Sequence, residues 1–202
     1  MQCLVCGKKK GKRSCPAKNG LICAHCCGDK RVVEIDCPEG CAYLAEGVRY
    51  QIEQKYSRLS REWDERRRHE VVALSRKFGD LFQAIEQYVA ENRRVLETDA
   101  RLLQVLDLIE QSLQTEIKGI IYRPVAENLV AEAAAREIQS LLEARRTEVD
   151  ASRPHLNSSE ALSMIGILKD DVAFHIRSGT RYLDFVARSH PERKHSSRLI
   201  LP

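Results

Sequence analysis

From residue 43 onward the apolar side chains fall in steps of three and four, the spacing that gathers them on one face of a helix. Over 42–78 the stripe is Leu44, Val48, Ile52, Tyr56, Leu59, Trp63, Val71, Leu74 and Phe78, with a single glycine and no proline. A charged run at 62–70 interrupts it. The spacing predicts a long first helix, about 55 Å if unbroken at 1.5 Å per residue. A second helix is expected over 80–92, with Leu81, Phe82, Ile85, Tyr88 and Val89 on one side. Thr98 and Asp99 are suited to cap a third, whose stripe is Leu102, Leu106, Ile109, Leu113, Ile117 and Ile120. Gly119 and Pro124 end it, and Pro124 is placed to open a fourth, with Leu129, Val130, Ala133, Ile138, Leu141, Leu142 and Val149. After a polar connector at 150–158, Ser158 or Ser159 caps a last helix carrying Leu162, Ile165, Leu168, Val172, Ile176, Leu183 and Val186. Residues 189–202 read as a flexible tail.

Residues 1–41 follow no helical period. Asn19-Gly20 is a hairpin signal, and 31–36 (Arg-Val-Val-Glu-Ile-Asp) is a short β-type run. The fold class is therefore mainly α: a small cysteine-rich metal-binding N-terminal module with short β-hairpins, followed by an α-helical bundle with a long first helix. The expected units are 1–41, 42–188 and the tail 189–202. An aromatic content of 5% fits a helical chain better than a β-sandwich. No stretch approaches the roughly 20 apolar residues that span a bilayer, and the N-terminus has no apolar signal region. A membrane role is not expected, and the default compartment is the reducing cytoplasm.

All eight cysteines lie in the first module: Cys3, Cys6, Cys15, Cys23, Cys26, Cys27, Cys37 and Cys41. In a reducing compartment disulfides are a poor account of them. Two C-x2-C pairs and a C-x3-C each offer adjacent corners of a metal tetrahedron, and eight ligands make two sets of four. The preferred sets are Cys3, Cys6, Cys23 and Cys26 on one ion, and Cys15, Cys27, Cys37 and Cys41 on the other. Cys26 and Cys27 can exchange places, and His25 is an alternative ligand. Zinc is the first expectation, with closed, structural sites that hold together a segment too short for a side-chain core. An iron–sulfur cluster or a thiol redox centre is the lesser alternative.

The order of paired cysteines resembles the cross-brace and treble-clef zinc modules of B-box and MYND type, with Cys15 lacking a close partner in sequence. More narrowly, 15–44 (C-P…I-C-x-x-C-C-G-x-K-R…E-I-D-C-P-x-x-C-x-Y-L) is similar to a pattern in uncharacterised bacterial proteins that place such a module before helices. The resemblance implies a zinc-finger-like unit and no particular activity.

The formal net charge is +4. Residues 1–41 hold eight Lys and Arg against four acids, so the surplus lies entirely there. Lys8, Lys9, Lys10, Lys12 and Arg13 form a basic loop, a candidate nucleic-acid contact. Charge compensation is the competing account: eight thiolates bring eight negative charges and two zinc ions only four positive ones. Nucleophile-elbow, metalloprotease, P-loop and dinucleotide-binding motifs are missing, so no catalytic residue is assigned and an enzyme is not expected. The chain reads as a zinc-binding, non-enzymatic adaptor whose helical faces bind a protein partner or a second copy, with nucleic-acid recognition as the alternative. The 42–78 stripe serves either as intramolecular core or as a coiled-coil seam.

Overall fold

The computed structural model describes residues 1–38, 40–120, 128–150 and 153–190. It is mainly helical, with one short antiparallel hairpin near the N-terminus. Strands β1 (Arg13–Cys15) and β2 (Gly20–Ile22) pair with Arg13 opposite Ile22 and Cys15 opposite Gly20. A 3-10 turn at Pro16–Lys18 joins them, and Asn19 supplies the left-handed residue at φ 48°. Asparagine accepts that conformation more readily than most residues.

Helix α1 (Ala24–Lys30) is not legible in the hydrophobic pattern, because two adjacent cysteines and a glycine carry no helical period. Cys23 starts it: its side chain accepts the Cys26 amide as an N-cap. The β-type run at 31–36 is instead a tight turn. Arg31 bridges Ile35, and the Lys30 carbonyl accepts from the amides of Glu34 and Ile35. Val32 sits at φ 62°, an unusual conformation for a β-branched residue. Apart from cysteines, Ile22 and Ile35 are the only buried hydrophobic residues of 1–41 among those described.

The helices that follow are α2 (Ala42–Glu62), α3 (Glu65–Glu91), α4 (Arg93–Leu96), α5 (Asp99–Ile117), α6 (Leu129–Arg146), α7 (Ser158–Arg177) and α8 (Tyr182–Ser189). The long first helix divides at Trp63. Asp64 lies in the charged run, and its Oδ1 accepts the Arg67 amide at 2.7 Å, opening α3. From there α3 continues through the expected start of a second helix and only bends, at Phe78 (φ −129°, ψ 28°). The last helix also divides, at Gly179 (φ 66°), and α8 turns back.

In the bundle, α5 packs against α6 and α7, while α3 packs against α6, α7 and α8. The α5 stripe is buried at Leu102, Leu106, Ile109 and Leu113, joined by Val105, whereas Ile117 and Ile120 are exposed. The buried face of α6 is rotated from the expected one. It consists of Ala131, Ala134, Ala135, Ile138 and Leu142, and Leu129 is exposed, as is Val149 beyond the helix. Alanines let α6 approach closely, and their small size hides them from a pattern weighted to large side chains. Asn128 caps α6 through its side-chain oxygen, and Pro124 lies outside the described residues. Asn157, not Ser158 or Ser159, caps α7, with Glu160 closing a reciprocal capping box. The expected tail overlaps α8 at Ser189; residues 191–202, and the side chains of Val48, Ile52 and Tyr56, lie outside what is described. No described helix is long and apolar enough to cross a membrane.

One buried carboxylate joins elements far apart in sequence. Asp99 of α5 accepts the amides of Tyr182 at 2.7 Å and Leu183 at 3.0 Å, capping α8 from outside. Asp99→Ala leaves two buried amides without an acceptor, at a cost of about 2–3 kcal/mol. The expected result is a melting temperature lower by roughly 4–12 °C, read by circular dichroism, with Asp99→Asn losing less because one acceptor remains.

Candidate metal centre

A knuckle at Cys3–Gly7, strand β2 and the start of α1 converge on one point. The Gly7 amide donates to the Cys3 carbonyl at 2.8 Å, closing the knuckle, and Gly7 takes φ 63°, where a side chain would be strained. The sulfurs of Cys3, Cys6, Cys23 and Cys26 all lie within 4.8 Å of one another, with Cys6 and Cys23 at 4.0 Å. Thiolates around a single zinc at about 2.3 Å stand about 3.8 Å apart. Cys3, Cys23 and Cys26 are buried and Cys6 is half-buried. These four thiols form a group able to hold one metal ion.

Backbone amides donate to two of the sulfurs. The Cys23 amide donates to Cys3 Sγ at 3.1 Å, and the Cys26 amide to Cys23 Sγ at 3.4 Å. Burial pushes the Cys3 thiol up, but the amides of Cys23, Cys6 and Val5 outweigh it and hold Cys3 at about 6. The Lys9 and Lys8 amides pull Cys6 down as well. Cys26 goes the other way, to about 12, through burial and then the neighbouring thiols of Cys23, Cys6 and Cys3. Negative charges collected in one spot resist further ionisation, and a cation at their centre removes that resistance.

The basic loop thus serves this group with its backbone. The side chains of Lys8, Lys9, Lys10 and Lys12 are exposed, and Arg13 lies over the Tyr43 ring, 5.0 Å from its centroid. His25 is exposed on α1, paired with Asp29 at 2.7 Å, and is not one of the clustered ligands.

Cys15, Cys27, Cys37 and Cys41 come together on the other side of α1. They line one cavity of about 10 Å³, the room of a single small species. Burial raises Cys37, and the nearby Cys41, Cys15 and Cys27 raise it further. Cys41 stands at the N-terminus of α2. Among the described residues, only Cys3, Cys6, Cys23 and Cys26 reach the tighter spacing. All eight cysteines are free thiols.

Adjacent Cys26 and Cys27 serve different groups because consecutive helical residues point about 100° apart. Arg31, the last residue of the C-C-G-x-K-R stretch and assigned no role from sequence, is buried between the second group and α2. Its Nε donates to the Cys27 carbonyl at 3.1 Å and its Nη1 to the Tyr43 carbonyl at 3.0 Å. A Cβ at Gly47 of α2 would stand 1.4 Å from that nitrogen, so any larger residue there displaces the Arg31 guanidinium. Arg188 of α8 donates to the Asp29 carbonyl at 3.1 Å, joining bundle to α1. Elsewhere Glu86 receives His190 at 2.9 Å and the Tyr182 hydroxyl at 3.2 Å. These contacts span about 100 residues in sequence and leave no local signal.

No family model matches this chain, no curated protein matches it, and no solved structure matches its fold.

Proposed function

We propose that this chain is a cytoplasmic, zinc-stabilised adaptor without enzymatic activity. Its cysteine module carries two structural four-cysteine sites, and its helices present surfaces to a protein partner. The observation that carries the reading is the buried four-thiol group of Cys3, Cys6, Cys23 and Cys26. Four sulfur ligands close a zinc tetrahedron and leave no open position for substrate, which favours a structural role over a catalytic one. The spacing also favours one ion over a cubane cluster, where each thiolate binds a different iron and the sulfurs sit further apart. The second group, Cys15, Cys27, Cys37 and Cys41, supplies the other set, with Cys26 and Cys27 divided between the two.

Elemental analysis of protein purified under reducing conditions tests the reading. Two zinc per chain in a colourless solution is the expected result. One zinc per chain removes the second site. Substoichiometric metal, or a brown, oxygen-labile protein, overturns the reading in favour of thiol or iron–sulfur chemistry.

A further inference from the structure

Where α2 meets α3, a groove of about 640 Å³ is open to solvent. Ser57 and Ser60 form one wall, Trp63 stands at the corner, and Val71 and Val72 form the apolar floor. Val72 is 50% exposed, and Trp63 packs its inner side against the bundle core. Arg68 and Arg76 close the groove at positions eight apart on α3, about 12 Å along the axis.

Among the described residues, no carboxylate answers the charge of this groove. Two nearby basic residues of α3 are paired: Arg67 with Asp170 at 2.6 Å and Glu70 at 2.8 Å, and Lys77 with Glu160 at 2.5 Å. Arg68 and Arg76 pair with no carboxylate among the described residues, and no acidic residue lines the groove. Arg68 reaches only the Ser60 carbonyl, at 3.3 Å. An apolar floor between two cations matches an occupant that is apolar in the middle and negative at both ends.

We infer that this groove binds an acidic amphipathic helix of a partner protein. Aliphatic or aromatic residues of that helix rest on Val71, Val72 and Trp63, and carboxylates about two turns apart meet Arg68 and Arg76. Two helices meeting at a corner offer the seat for a third, the arrangement by which amphipathic helices enter grooves. The inference rests on the adaptor reading and supplies the chemistry of its partner.

Trp63 is the only tryptophan of the chain, so its emission reports on the groove directly. The experiment selects binders to the full, metal-loaded protein from a displayed library of random 16-residue peptides. Enriched peptides are expected to combine Glu or Asp with Leu, Ile or Phe at helical spacing and to shift Trp63 emission. Val72→Asp and Arg76→Glu should each weaken them at least about tenfold, while Val95→Asp, exposed on α4, should leave them unchanged. Replacing the peptide carboxylates with lysine should abolish binding to the parent protein and restore it to the Arg76→Glu variant. Thermal melts of each variant separate loss of binding from loss of fold.

Peptides that enrich but leave Trp63 silent and ignore Val72→Asp overturn the groove and leave the adaptor reading standing. The absence of any enriched peptide removes both. A single-stranded RNA oligonucleotide that displaces the peptides and shifts Trp63 makes the groove a nucleic-acid site. Concentration-dependent self-association that shifts Trp63 makes its occupant a second copy. Either result overturns the proposal.

Discussion

Replacing Cys23 with serine is expected to unfold the cysteine module while leaving the bundle folded. Cys23 lies at the centre of the four-thiol group. Its sulfur is 4.0 Å from that of Cys6 and accepts the Cys26 amide, and its own amide donates to Cys3. A structural zinc contributes on the order of 10–16 kcal/mol at neutral pH, and loss of one of four ligands forfeits a large share of it. The buried side chains cannot compensate. Among its described residues, Ile22 and Ile35 are the only buried hydrophobic ones besides cysteines, and full burial of each contributes about 1.5–3 kcal/mol.

The two thiol groups share α1 through Cys26 and Cys27, so disorder at one reaches the other. Metal content should fall from two per chain to one or none. Amide exchange over residues 1–41 should become fast, and helical ellipticity should fall only slightly, because α3 and the helices after it form their own buried cluster. Serine is nearly isosteric with cysteine, so the change tests ligation rather than packing. Full metal content and unchanged protection in 1–41 would show that the module is held by something other than sulfur ligation.

Much of the thiol arrangement is legible in the sequence because it is local. Each C-x2-C pair brings two sulfurs together through a short turn, and two such pairs, joined by a hairpin that Asn19-Gly20 announces, account for Cys3, Cys6, Cys23 and Cys26. The division between Cys26 and Cys27 stays open in sequence because it depends on α1, whose residues carry no hydrophobic period. In the bundle, large side chains reveal α5 well. They mislead on α6, where Ala131, Ala134 and Ala135 make the contact face. The break at Trp63 is hidden because Asp64 lies among other charges and reads as surface until its carboxylate is seen capping α3. Arg31, Asp99 and Arg188 act across the fold, each holding backbone groups that no local pattern connects to it.

Phe78→Ala is expected to destabilise the bundle by about 3–5 kcal/mol, the usual cost of deleting a buried aromatic ring. Phe78 is fully buried and stands at the one non-helical position inside α3. Gly79 follows it, so the bend has two available causes: glycine freedom or side-chain packing. Helices bend at glycine often enough to make it the default suspect. Here its φ is not in the left-handed region, and a Cβ added at Gly79 would meet nothing within 4 Å.

The ring of Phe78 is buried in the core at the point where α3 changes direction, so ring packing rather than Gly79 is expected to hold the bend. Gly79→Ala should be neutral or stabilising by up to about 1 kcal/mol through helix propensity. Phe78→Ala should lower the midpoint of thermal unfolding by roughly 6–20 °C, a large part of the 5–15 kcal/mol typical of a domain. Ellipticity at 222 nm follows both variants, with metal content checked so that only bundle unfolding is compared. If Gly79→Ala proves the more damaging change, glycine conformation and not ring packing sets the bend.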